Sequence, residues 1–146
     1  MLKYRVEIDD VGNIRWYKWD TNQLHREDGP AVEWVDGGKE WYLNGKSHRE
    51  NGPAIKYVNG SKYWYLNGQL HREDGPAIEY ADGSKYWYLN DKFHRKNGPA
   101  REYTDGSKEW YLNGEKLTEQ EFLAKQDDCN NKVIEIDGKK YRLELV

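Results

Sequence analysis

Ala54-Ile-Lys-Tyr-Val-Asn-Gly-Ser-Lys-Tyr-Trp-Tyr-Leu-Asn-Gly68, continued by Gln69-Leu-His-Arg-Glu-Asp-Gly-Pro-Ala77, holds in one unit the pattern that decides the fold. Two short alternating runs, Ala54-Ile-Lys-Tyr-Val58 and Ser61-Lys-Tyr-Trp-Tyr-Leu66, flank Asn59-Gly60. Asx-Gly between alternating runs predicts a β-hairpin, because a two-residue type I′ turn needs positive φ at both central positions. Twelve of the 14 glycines follow Asn or Asp, so turns recur along the chain and a helical reading fails on the density of breakers.

The unit repeats. His25, His48, His71 and His94 stand 23 residues apart, each opening His-Arg-x-Asx-Gly-Pro-Ala, and these copies contain every histidine and proline of the protein. A fixed period of this length marks units that bury their apolar face only by stacking on neighbours. Gly-Pro gives an extended entry into the next strand, and proline has no amide hydrogen for a ladder, so His-Arg-x-Asx-Gly-Pro reads as the loop connecting one hairpin to the next. A two-residue turn at Asn59-Gly60 sets Ile55 opposite Trp64 and puts Ile55, Tyr57, Trp64 and Leu66 on the core face. Lys56, Tyr63 and Tyr65 then take the other face, and equivalent columns follow in each copy. One more residue in the turn exchanges the faces of one strand.

The chain has 146 residues and is read as one repeat array with a terminal appendage. Hydrophobic residues make up only 36%, yet there are 7 Trp and 12 Tyr, so aromatic side chains must carry the packing. Charged residues nearly balance to a formal −3, which disfavours strong nucleic-acid binding. No apolar stretch reaches the ~18 residues of a transmembrane segment, and no signal-peptide core precedes the array, so a cytoplasmic protein is expected. The single Cys129 lies among aspartates, which raise a thiol pKa and make it a poor nucleophile.

Trp-Tyr-Leu-Asn-Gly-Lys-x-His-Arg-x-Asx-Gly-Pro-Ala-x-x-Tyr-x-Asx-Gly-Ser resembles a divergent MORN repeat over residues 12–114, with Arg-x-Asx-Gly-Pro replacing the family's usual His-Gly-x-Gly. The His-Arg-Glu-Asp-Gly-Pro-Ala version also resembles repeat proteins of bacteriophages and large DNA viruses. The resemblance implies a mainly β fold, a single-layer antiparallel sheet of stacked β-hairpins forming a MORN-like solenoid; the residues beyond it add a short C-terminal helix and a terminal hairpin. It further implies a non-enzymatic binding protein: a phage-encoded inhibitor or adaptor acting on a host defence protein in the host cytoplasm.

Three segments are expected: a degenerate capping hairpin over 1–24, the array over 25–116, and a helix-plus-hairpin cap over 117–146. At the fifth connection Thr118 is read in the histidine's place, and Thr118-Glu-Gln-Glu121 forms a capping box. Leu117 and Phe122 make a staple, and a helix is predicted over 119–126. A last hairpin follows, with Ile134, Ile136, Tyr141, Leu143 and Leu145 on its apolar face.

No catalytic constellation, phosphate loop or paired zinc motif appears, and neither a metal nor a cofactor is expected. Successive hairpins advance by about 9.6 Å, so histidines of neighbouring repeats cannot share a zinc whose ligands sit at ~2.1 Å. The repeated His and Arg read as corners of the loops. Their alternative is a ligand site, at His25, Arg26, His48, Arg49, His71, Arg72, His94 and Arg95, that sequesters a small nucleotide by Arg pairing and aromatic stacking. The candidate protein interface is Tyr63, Tyr65, Tyr86, Tyr88, Asp91, Arg101, Tyr111, Phe122 and Tyr141, because exposed tyrosine suits rigid protein contacts. Asp91 and Arg101 join it as breaks in the pattern: Asp91 replaces a turn glycine, and Arg101 occupies the column of Val32, Ile55 and Ile78, so either the fourth repeat is open to solvent there or Glu102 or Glu109 pairs with it across strands. Open edge strands also admit a homodimer.

Overall fold

A computed structural model describes residues 3–130, 133–137 and 139–142. Eleven strands form one antiparallel sheet in which spatial neighbours follow the chain order, from Tyr4–Ile8 at one edge to Glu115–Leu117 at the other. The protein is thus mainly β, built of consecutive hairpins with one short helix. No helix among the described residues is long and apolar enough to cross a membrane.

Each repeat contains two turns of different kinds. Val58-Asn59-Gly60 forms a three-residue turn: Gly60 N–H donates to the Tyr57 carbonyl and Tyr57 N–H to the Ser61 carbonyl, each at 3.0 Å. Gly60 sits at φ +94°, where a side chain is strained, and the Asn59 carboxamide accepts the Ser61 N–H at 2.9 Å. Asp36, Asp82 and Asp105 cap their turns in the same way, which explains the Asx-Gly-Gly/Ser signature. The type I′ turns lie elsewhere, at Asn44-Gly45, Asn67-Gly68, Asn90-Asp91 and Asn113-Gly114, with both residues at positive φ.

The three-residue turn moves the register by one. Ile55 lies opposite Tyr63, not Trp64, and Lys56 opposite Lys62. Ile78 faces Tyr63 and Tyr86, and Val32 faces Glu40. The expected core face is therefore corrected: Trp41, Trp64 and Trp87 leave the Ile/Val columns for the opposite face, and Tyr63 and Tyr86 take their place, since successive strand residues point to opposite sides.

Both faces contribute buried groups. Val32 and Ile78 are buried on the tyrosine face. Opposite them, Ala31, Ala54, Ala77 and Ala100 are completely buried beside the tryptophans. Trp64 N–H donates to the Ala77 carbonyl, and His71 N–H to the Trp64 carbonyl, so Arg72-Glu-Asp-Gly-Pro76 bulges out between two segments that pair with the same strand.

The ends depart from the pattern. The hairpin of Tyr4–Ile8 with Ile14–Lys18 supplies Trp16 as the first tryptophan of the series. At the other end Trp110 pairs with Leu117, so Leu117 takes the histidine's position and Thr118 the arginine's, correcting the expected assignment by one residue. The capping box forms: Thr118 N–H donates to Glu121 Oε2 at 2.8 Å, and Glu121 N–H to Thr118 Oγ1 at 3.2 Å. The helix α1, Glu119–Asn130, outruns the expected 119–126 because no Gly or Pro intervenes there. It packs on Lys108–Leu112 and Glu115–Leu117. Val133–Ile136 and Lys139–Arg142 pair as the last hairpin, with Ile134 opposite Tyr141. Its apolar side chains, and those of Cys129, Leu143 and Leu145, lie outside the described residues.

Candidate functional site

The sheet offers two chemically different faces. On the tryptophan face each loop arginine folds back over the tryptophan of its own repeat. The guanidinium carbon lies 4.0 Å from the Trp16 ring centre for Arg26, 3.9 Å from Trp41 for Arg49, 4.1 Å from Trp64 for Arg72 and 3.8 Å from Trp87 for Arg95. Each also donates to the carbonyl of the loop proline, at 3.1–3.2 Å. Arg26, Arg72 and Arg95 pair further with Glu33, Glu79 and Glu102, at 2.9, 3.2 and 2.6 Å.

The glycine before the proline admits this fold-back at Gly29 and Gly75. A Cβ on Gly75 would lie 2.8 Å from Arg72 Cζ. Gly75→Ala should therefore lift Arg72 off Trp64 and lower stability by about 1–2 kcal/mol, the worth of a cation–π contact plus a charge-assisted bond. Denaturant unfolding of Gly75→Ala beside Arg72→Ala checks this: near-equal losses, not additive in the double variant, are expected.

The histidines lock successive repeats together. His25, His48 and His94 accept at Nδ1 the backbone N–H of Asn44, Asn67 and Asn113 in the next type I′ turn, at 2.9, 3.1 and 3.0 Å. His71 Nδ1 meets the Asn90 side-chain oxygen instead, at 2.8 Å. Burial pushes the His94 imidazole below its ordinary pKa, and nearby Lys96 adds to the effect. Among the described residues no three His, Cys, Asp or Glu side chains converge into a metal centre.

The other face carries a chain of tyrosines. Tyr57, Tyr63, Tyr80, Tyr86 and Tyr103 meet edge to face, at ring separations of 5.6, 6.0, 5.1 and 5.6 Å in turn. A branch runs from Tyr86 through Phe93 to Tyr88 and Tyr111. Arg101 lies over Tyr86, Phe93 and Tyr103 and pairs with Glu109 at 2.7 Å, while Glu102 belongs to Arg95. Glu109 also accepts from Tyr103, Tyr111 and Lys116.

The structure thus brings Tyr63, Tyr86, Tyr88, Arg101 and Tyr111 into one continuous surface, with Tyr65 on the same side of its strand as Tyr63. Asp91 does not need a partner to explain it: its N–H donates to the Leu70 carbonyl at 3.0 Å and its carboxylate accepts the Leu70 N–H at 2.7 Å, tying two repeats. Phe122 is a correction. Only 2% exposed, it belongs to the packing of α1 on the last strands and is not surface. The Tyr141 side chain lies outside the described residues. Tyr57, Tyr80, Tyr103 and Phe93 were missed as members of this surface, because the residue before each Asx-Gly, Val58 in this unit, joins the turn and shifts the register.

Burial pushes the Tyr88 and Tyr103 phenols up to about 12; Arg101 opposes this at both, and Glu109 adds to it at Tyr103. The folded state then holds these protons above the ordinary phenol value of 10.0, so their contribution to stability is complete below that pH and falls away as pH rises towards 12. An absorbance titration of tyrosinate should show late-titrating phenols whose ionisation accompanies unfolding. All twelve titrating together near the ordinary value would contradict this.

The fold and these faces define a β-hairpin repeat protein with an arginine-on-tryptophan side and a tyrosine side. No protein-family model matches the chain, and a search of curated proteins found no match.

Proposed function

We propose that the chain is a non-enzymatic binding scaffold that engages a protein partner through the tyrosine face. The observation that carries this reading is the continuous surface from Tyr57 to Tyr111, rigidified by ring contacts and by the Arg101–Glu109 pair. Half-buried phenols locked by their neighbours lose little side-chain entropy on binding, a property of tyrosine-rich recognition surfaces. A host defence protein as partner, with the chain as a phage-encoded inhibitor or adaptor, rests on the resemblance of the repeat string to viral repeat proteins.

The nucleotide reading draws less support from the same geometry. Its arginines are occupied by tryptophan rings and proline carbonyls, and three of its histidines accept backbone N–H groups. Titration of a captured, purified partner against wild type and the Tyr65→Ser/Tyr88→Ser variant tests the proposal. Loss of binding with the fold intact supports it; unchanged affinity refutes it. A calorimetric nucleotide panel in which Arg72→Ala alone abolishes binding would move the function to the other face.

A further inference from the structure

Across the tryptophan face one row of charged side chains runs directly from strand to strand. The register links Glu33 with Lys39, Lys39 with Lys56, Lys56 with Lys62, Lys62 with Glu79, Glu79 with Lys85, Lys85 with Glu102 and Glu102 with Lys108. Acid and base alternate everywhere except at Lys56. There three lysines stand side by side, with neighbouring strands only about 4.8 Å apart. Like charges directly opposite one another destabilise a sheet, so this break works against folding and calls for another explanation.

The same substitution leaves Arg49 different from its three counterparts. Lys56 holds the position of Glu33, Glu79 and Glu102, the carboxylates that pair with Arg26, Arg72 and Arg95. Asn51 likewise replaces Asp28 and Asp74, which pair with Arg26 and Arg72. Arg49 still lies on Trp41 and donates to the Pro53 carbonyl, but among the described residues it meets no carboxylate. Two surface grooves, of about 510 and 470 Å³, meet at its side chain.

We infer that Arg49 with Lys39, Lys56 and Lys62 forms a seat for an acidic segment of a polypeptide partner, whose carboxylate takes up the place that glutamate fills in the other repeats. The seat has the right chemistry. Arg49 is already oriented by its stack on Trp41, so its remaining donors are presented at little entropic cost to a planar carboxylate. The lysine row is wide enough for a second acidic residue of an extended chain, since alternate side chains of a strand share one side about 6.6 Å apart. Glu27, Asp28, Glu50, Glu73 and Asp74 line the grooves, Asp28 and Asp74 being already paired with Arg26 and Arg72. Along the lysine row an anion avoids them. Lys62 already meets Glu79 at 3.2 Å, which leaves Arg49, Lys39 and Lys56 as the principal contacts. This inference is independent of the tyrosine face, which lies on the other side of the sheet.

The test uses the full chain and an acetylated Glu-Gly-Glu-Gly-Glu peptide at low salt, followed through the arginine Nε–H resonances, with Arg49 assigned from Arg49→Lys. A saturable shift at Arg49, absent at Arg26, Arg72 and Arg95, is expected. Lys56→Glu should weaken binding about tenfold or more, the worth of a charge-assisted bond, and should fold at least as well as wild type because it restores the alternation. Equal shifts at all four arginines, a shift that survives Lys56→Glu, or inorganic phosphate binding as tightly as the peptide would each overturn the inference.

Discussion

Phe122→Ala should lower the unfolding free energy by about 3–5 kcal/mol, the usual cost of emptying a fully buried phenylalanine site. The ring is 2% exposed and Leu117, at the neighbouring cap position, is 8% exposed; together they seal α1 onto the last two strands of the array. In the repeats an arginine lies on each tryptophan, whereas at the fifth connection Thr118 begins the helix, so the cap does by apolar packing what the loop arginines do elsewhere. Stacked repeats are stabilised by neighbours, and opening one end should propagate inward from Trp110. Denaturant unfolding followed by both tryptophan fluorescence and far-UV circular dichroism checks this. A large loss of stability with the helical signal lost first is expected; a loss below about 1 kcal/mol would show that α1 is not an integral cap.

Glu109→Ala should cost about 2 kcal/mol, because it strips one carboxylate from Arg101, Tyr103, Tyr111 and Lys116 and leaves a half-buried guanidinium without its counter-charge. The partner change makes the prediction specific. Position 101 is held by Val32, Ile55 and Ile78 in the other repeats, so Arg101→Ile should recover most of the loss in the double variant. Acid should reproduce the effect. A hydrogen bond from Lys116, joined by the Arg101 charge, holds the Glu109 carboxyl below the usual range. Its contribution is complete above the unfolded carboxyl value and is lost as pH falls through the lowered one. Thermal melts of wild type and Glu109→Ala should therefore converge at low pH; a constant gap would contradict this.

The 23-residue period, the hairpins, the bulging loops and the capped helix were legible in the residues because each depends on local chemistry: Asx-Gly for positive φ, Gly-Pro for a break, Thr-x-x-Glu for a helix start. For Arg101 the residues left solvent, Glu102 and Glu109 open, and the structure selects Glu109. The faces were not legible. One residue more or less in Val58-Asn59-Gly60 interchanges the sides of a strand, and a turn of either length satisfies the same local pattern. Phe122 was read both as a staple and as surface; it is buried, and burial depends on whether a helix docks.

The sequence by itself determined a repeat array of antiparallel hairpins, because turn propensities act within a few residues and recur at a fixed spacing. Only the tertiary structure decided that Trp41, Trp64 and Trp87 part from Tyr63 and Tyr86 to the opposite face, that each of the four loop arginines lies on a tryptophan, and that Arg49 alone of them meets no carboxylate among the described residues. Those outcomes depend on cross-strand register, which is fixed by the summed packing of many strands rather than by any one turn.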